Sequence, residues 1–146
     1  MLPASILERA SRAGVLALLL ALIAGCGNEG PRLYPVKGQV FHGDKPAAGA
    51  NVVFQLKEGP QQPGAPIPSA IVQEDGSFTI RTHPHGEGAP PGEYKVLITW
   101  YPPNSREVEN PVNKLPQRYS GPETTPLTVV VKEGANELEP FRIPAK

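Results

Sequence analysis

The chain has 146 residues, with 14 basic and 14 acidic side chains, one cysteine, 15 glycines and 19 prolines. This length fits a single domain, and the balanced charge argues against the basic clusters that neutralise nucleic-acid phosphates. One thiol excludes an intrachain disulfide and a cysteine-cluster zinc site, and so much glycine and proline disfavours a helical bundle, because both break helix interiors.

At the N-terminus, Arg9 and Arg12 precede an uninterrupted apolar run from Val15 to Ala24. The run is about half of the roughly 20 residues that cross a bilayer as a helix, so it reads as the core of a signal peptide. The junction Leu22-Ile23-Ala24-Gly25-Cys26 resembles a bacterial lipobox. That resemblance implies that residues 1–25 are a lipoprotein signal peptide, removed before Cys26. The Cys26 thiol would then take a diacylglyceryl group and its freed amine a further acyl chain. Two or three chains hold a protein stably on a membrane where one is marginal. Gly27 stands where the family's inner-membrane retention signal has Asp, which points to the outer membrane. Glu8, Arg9 and Arg12 leave with the signal peptide, so the mature part keeps 12 basic and 13 acidic side chains. It has no electrostatic attraction to anionic lipid. Residues 26–33 read as a short polar tether, and 34–146 as the folded domain.

Strand signals then recur at short intervals, each bounded by turn residues. Tyr34 to Phe41 alternates, with Val36, Gly38 and Val40 on one face. His42-Gly43-Asp44-Lys45-Pro46 is a turn. Ala50 to Leu56 carries Val52, Phe54 and Leu56 at period two, the mark of a half-buried strand. A loop over 57–66, rich in Pro, Gly and Gln, precedes a short strand from Ser69 to Val72. Glu74-Asp75-Gly76 is a hairpin signal, and Ser77 to Thr82 returns with Phe78 and Ile80 inward. After a second loop, Glu93 to Tyr101 places Tyr94, Val96, Ile98 and Trp100 on one face. Pro102 to Thr125 is long, proline-rich and without strand or helix pattern, and loops of that length are often functional. Pro126 to Val131 and Glu137 to Ile143 read as a hairpin around Glu133-Gly134-Ala135-Asn136. Seven strands without intervening helices predict an all-β, antiparallel β-sandwich of transthyretin-like or immunoglobulin-like form.

Several motifs are similar to those of carboxypeptidase-regulatory-like domains. Val36-x-Gly38-x-Val40 is followed by Gly43-Asp44-Lys45-Pro46-Ala47-Ala48-Gly49-Ala50-Asn51-Val52-x-Phe54, which resembles the family's opening strand, Gly-Lys-Pro turn and second strand. Gln73-Glu74-Asp75-Gly76-Ser77-Phe78-Thr79 is similar to its Thr-Asp-x-x-Gly-x-Phe hairpin, with Gln and Glu where Thr and Asp are commonest. Pro91-Gly92-Glu93-Tyr94-Lys95-Val96 resembles its Pro-Gly-x-Tyr-x-Val strand. Leu115 to Ser120 and Thr124 to Val129 look like a set of exported bacterial lipoproteins of unassigned function. The resemblance covers about residues 34–143 and implies a non-catalytic module, so fold alone supplies no function.

Chemical motifs are sparse. His83-Pro84-His85 has a spacing seen in some metal sites, but His42 lies far upstream in another turn, and zinc or copper needs three or four placed ligands. Asp44 and Asp75 are explained as turn residues, with no EF-hand spacing for calcium. Arg118-Tyr119-Ser120-Gly121 shares only composition with the C-terminal Tyr-Arg-Gly-Ser of hydroxyisourate hydrolases, and no Gly-x-Ser-x-Gly elbow is present. The reading is therefore a non-enzyme with no cofactor, no metal and no nucleic-acid partner. It would be a membrane-anchored structural, adhesion or protein-interaction module of the cell envelope, with an envelope protein or polysaccharide as partner. Its contacts would lie on loops 57–68 and 102–125. In the second loop Leu115 and Tyr119 are candidate anchors, and Arg106, Glu107, Glu109 and Arg118 the polar contacts; Arg106, Leu115, Arg118 and Tyr119 form the candidate binding set. The alternative is a lipoprotein that binds a small molecule, a carbohydrate or a transporter substrate; a deep apolar pocket would favour it.

Overall fold

Alternation at period two decides which side chains the strands bury. In the computed structural model, which describes residues 30–59, 63–104 and 106–145, Val36, Val40, Val52, Phe54, Phe78, Tyr94, Val96 and Ile98 are all at most 1% exposed. Eleven strand segments carry them: β1 (Val36–His42), β2 (Lys45–Pro46), β3 (Asn51–Leu56), β4 (Pro68–Ile71), β5 (Ser77–Thr79), β6 (Arg81–Thr82), β7 (Gly86–Glu87), β8 (Gly92–Thr99), β9 (Thr128–Val131), β10 (Asn136–Glu137) and β11 (Phe141–Ile143). The predicted signal peptide and the first half of the tether, including Cys26, lie outside the described residues. No described helix is long and apolar enough to cross a membrane.

The strands form two sheets. One has the order β7-β6-β4-β3-β8-β9, and the other is built around β1, which pairs with β2, β5, β10 and β11. Both sheets contribute to one buried cluster, from Val36, Val40, Phe78, Phe141 and Ile143 on one side to Val52, Phe54, Val96, Ile98 and Val131 on the other. The protein is all-β, and its two layers share a core as a β-sandwich does. Residues from Pro31 onward form one compact unit.

Three features differ from the sequence reading. The first is strand direction. The six-stranded sheet is antiparallel, but β1 pairs in parallel with β10 and β11, so the fold is mixed. The expected hairpin between Pro126–Val131 and Glu137–Ile143 does not form. Instead β9 pairs with β8, and the turn at Gly134 (φ +95°) carries the chain across to the other sheet. Asn136 holds this crossover: its Oδ1 accepts from Lys132 N at 2.9 Å and its Nδ2 donates to Lys132 O at 2.9 Å. The side chain thus takes the place of a ladder residue.

The second is strand continuity. Ser77 to Thr82, read as one strand, divides at Ile80: β5 pairs with β1 and β6 with β4. The Asp75–Gly76 turn forms as expected, with Gln73 N donating to Ser77 O at 2.8 Å, yet its flanking strands belong to different sheets. The last predicted strand is likewise broken into β10 and β11 around Pro140, which has no N–H to donate. These two divisions, with the short segments β2 and β7 that form within the expected turn and loop, bring the seven expected strands to eleven segments.

The third is burial at strand ends. Leu56, expected inward, is 44% exposed, because the end of β3 runs beyond the core. Trp100 packs against the core but is only partly buried. Its Nε1 donates to Ala48 O at 2.8 Å, so its polar end stays satisfied at the sandwich edge.

Candidate functional site

The described residues bring Leu115 and Tyr119 together with the core, at 4% exposure each. The segment from Pro102 to Thr125 contains the 3₁₀ turn Gln117–Ser120, whose buried residue is Tyr119. Arg118, in the same turn, lies over the Tyr119 ring, its guanidinium carbon 4.9 Å from the ring centre and its Nη2 donating to the Tyr119 hydroxyl at 3.1 Å. Asn113 pins the start of the turn: its Oδ1 accepts from Trp100 N and Leu115 N. Leu115 and Tyr119 therefore spend their side chains on the core. Of the four candidate contacts, Arg106 and Arg118 are the exposed pair. A hollow of about 340 Å³ beside Arg118 is bordered by Gln117, Ser120, Gly121 and Thr124.

His83 and His85 are exposed in the turn between β6 and β7. His42 lies elsewhere, edge-on to Trp100 at 5.8 Å between ring centres. Among the described residues no three His, Cys, Asp or Glu side chains gather as a metal-binding group. Asp75 accepts from the backbone N–H and the hydroxyl of Ser77 at 2.9 and 2.6 Å. These bonds hold its carboxyl below the usual carboxylate range.

A second concavity lies elsewhere, where loop 63–68 closes over the end of β3. It is a groove of about 430 Å³, within the range of small-molecule pockets. Its walls are Phe54, Leu56 and Tyr94 from the sheet, Ile67 and neighbouring prolines from the loop, and Pro90–Pro91 from the segment entering β8. Ile67 is 60% exposed. Among the described residues no charged side chain lines the groove; its polar side chains are Gln55 and Tyr94. Next to it, Lys57 and Glu93 neutralise each other, Nζ to Oε1 at 2.7 Å, and that bond raises the Lys57 pKa above its ordinary value. Tyr94 donates its hydroxyl to Pro90 O at 2.8 Å, and burial pushes its pKa up. The phenol is thereby kept protonated as a donor.

The groove end of the domain is held rigidly. Tyr34 and Ala89 exchange two backbone hydrogen bonds of 3.0 Å, one residue before Pro90. Gly88 makes this approach feasible: its φ is +102°, and a Cβ there would overlap the Tyr34 carbonyl. Gly88 N donates to Ile80 O at 2.8 Å, and the buried Thr82 hydroxyl donates to Gly88 O at 2.7 Å. The backbone N–H and C=O groups of Tyr34, Gly88 and Ala89 are thus paired, as burial demands.

Sequence reasoning placed contacts on loop 57–68 but did not find the groove. Ile67 in a polar loop was the available signal, and Leu56 was assigned to the core by alternation. Comparisons of the chain with protein-family models, with curated proteins and with solved structures returned no match.

Proposed function

We propose that this protein is a lipid-anchored, extracytoplasmic, non-enzymatic module of the cell envelope, held by Cys26 and working through contact. In this reading the sandwich is of the carboxypeptidase-regulatory-like, transthyretin-like or immunoglobulin-like type. Residues 1–25 are removed, and the anchor lies in the outer membrane. The observation that carries the contact role is the apolar groove between loop 63–68 and Pro90–Pro91, with exposed Leu56 and Ile67 at its mouth. Large apolar side chains clustered at one exposed place mark interaction surfaces. The same groove favours a second reading, a lipoprotein that binds a small molecule, because its volume and apolar walls suit one.

A photo-crosslinking side chain at position 67 tests the site in intact cells. The contact reading expects one reproducible adduct that is lost when the crosslinker is moved to exposed Glu139. A macromolecular adduct supports the envelope partner, and a low-mass adduct the small ligand. Equal labelling from both positions overturns the assignment of the groove.

A further inference from the structure

The groove is unusual in what it withholds. Five of its wall residues are proline (63, 66, 68, 90 and 91), and proline has no backbone N–H to offer. A peptide adding as a strand needs such donors, and a sugar needs converging polar side chains. The Tyr94 hydroxyl in its wall is already committed to Pro90 O, and Lys57 and Glu93, each adjacent in sequence to a lining residue, to each other. Gln55 adds a single amide to the wall, and the rest is mainly apolar surface from Phe54, Leu56, Ile67 and the prolines, which rewards hydrocarbon in proportion to the area buried.

Position selects the source. The chain enters the domain at Tyr34, which is bonded on both sides of its peptide unit to Ala89, and Pro90 follows directly as a groove wall. Cys26 is eight residues before Tyr34, a span of at most about 28 Å fully extended. If Cys26 carries the anchor, as proposed above, Tyr34, next to a groove wall, is kept within that distance of a bilayer.

We infer that the groove binds one acyl chain of a membrane lipid. The inference rests on the Cys26 reading only for the lipid's source, so the test separates the two. The domain from Pro31 onward, a compact unit with its own core, is titrated with a fluorescent 16-carbon fatty acid below its micelle concentration. Saturable one-to-one binding is expected, at least tenfold weaker for an 8-carbon acid. It should also weaken at least tenfold in Ile67→Gln and in Leu56→Gln, both exposed positions whose change leaves the core intact. Val130→Gln, exposed on β9, should bind as the parent does. Absence of saturable binding, or binding unaltered in both groove variants, overturns the inference. The mature protein purified from membranes is titrated in parallel, and its N-terminal mass records whether Cys26 is acylated. Acylated protein that exchanges the probe supports a bilayer lipid as the source. Acylated protein that refuses the probe, while the domain accepts it, overturns that source in favour of the chain on Cys26. A mature protein without acyl groups overturns the anchor and leaves the groove result to stand by itself.

Discussion

Gly88 shows how one residue can fix the geometry of a site. Its positive φ and the closeness of the Tyr34 carbonyl leave no room for a side chain, and L-residues are strained there in any case. Gly88→Ala is expected to cost more than about 1 kcal/mol and to loosen the Tyr34–Ala89 pairing. Chemical denaturation followed by the single tryptophan measures the first, and amide exchange at Ala89 the second. Asp75 makes a different kind of claim. Its folded pKa is depressed by its two bonds from Ser77, below the value near 3.9 of an unfolded chain. The carboxylate therefore stabilises the fold above about pH 4, and the contribution is lost as pH falls through the folded pKa. Thermal scans from pH 6 to pH 2 should show wild type ahead of Asp75→Asn at the upper end. The difference should shrink toward the lower end. A gap that is constant with pH would mean that the turn does not depend on the charge.

The elements divide by how locally they are determined. The alternation of Val52 and Phe54, or of Tyr94, Val96 and Ile98, states the buried face of β3 and β8 directly, because a pleated strand points successive side chains to opposite faces. The direction of β10 and β11 is not written in any window. It depends on Asn136 reaching back to Lys132 and Pro35, a tertiary arrangement that overrides a plausible hairpin turn. The division at Ile80 and the groove likewise arise from segments distant in sequence, so local periodicity could not show them. The 102–125 segment holds both kinds of information. Its prolines announced a long loop, while the burial of Leu115 and Tyr119 depends on the sheet edge they meet. This gives a contrast that can be measured. Replacing residues 104–112 with a Gly/Ser linker spares Asn113 and should move the melting temperature by less than about 3 °C, given that about 1 kcal/mol shifts a domain of about this size by roughly 4–8 °C. Tyr119→Ala removes a core aromatic and should cost about 3–5 kcal/mol. A large fall for the linker variant would make the exposed tip structural.

At the scale of the whole molecule, the two sheets are stabilised by one shared core. Unfolding of the domain should be cooperative, with a midpoint unchanged by EDTA or reductant; a large fall in EDTA would instead assign His83 and His85 to a metal site. In the proposed reading, an anchor at Cys26 would place the groove and the Tyr34–Ala89 tie near a membrane. The most direct measurement is the intact mass of the mature protein from the membrane fraction, set beside Cys26→Ser. The account predicts an N-terminal Cys26 carrying acyl groups in the first, and loss of both cleavage before residue 26 and membrane retention in the second. A mature protein that begins at another residue, or a Cys26→Ser form that is processed and retained as wild type is, would contradict it.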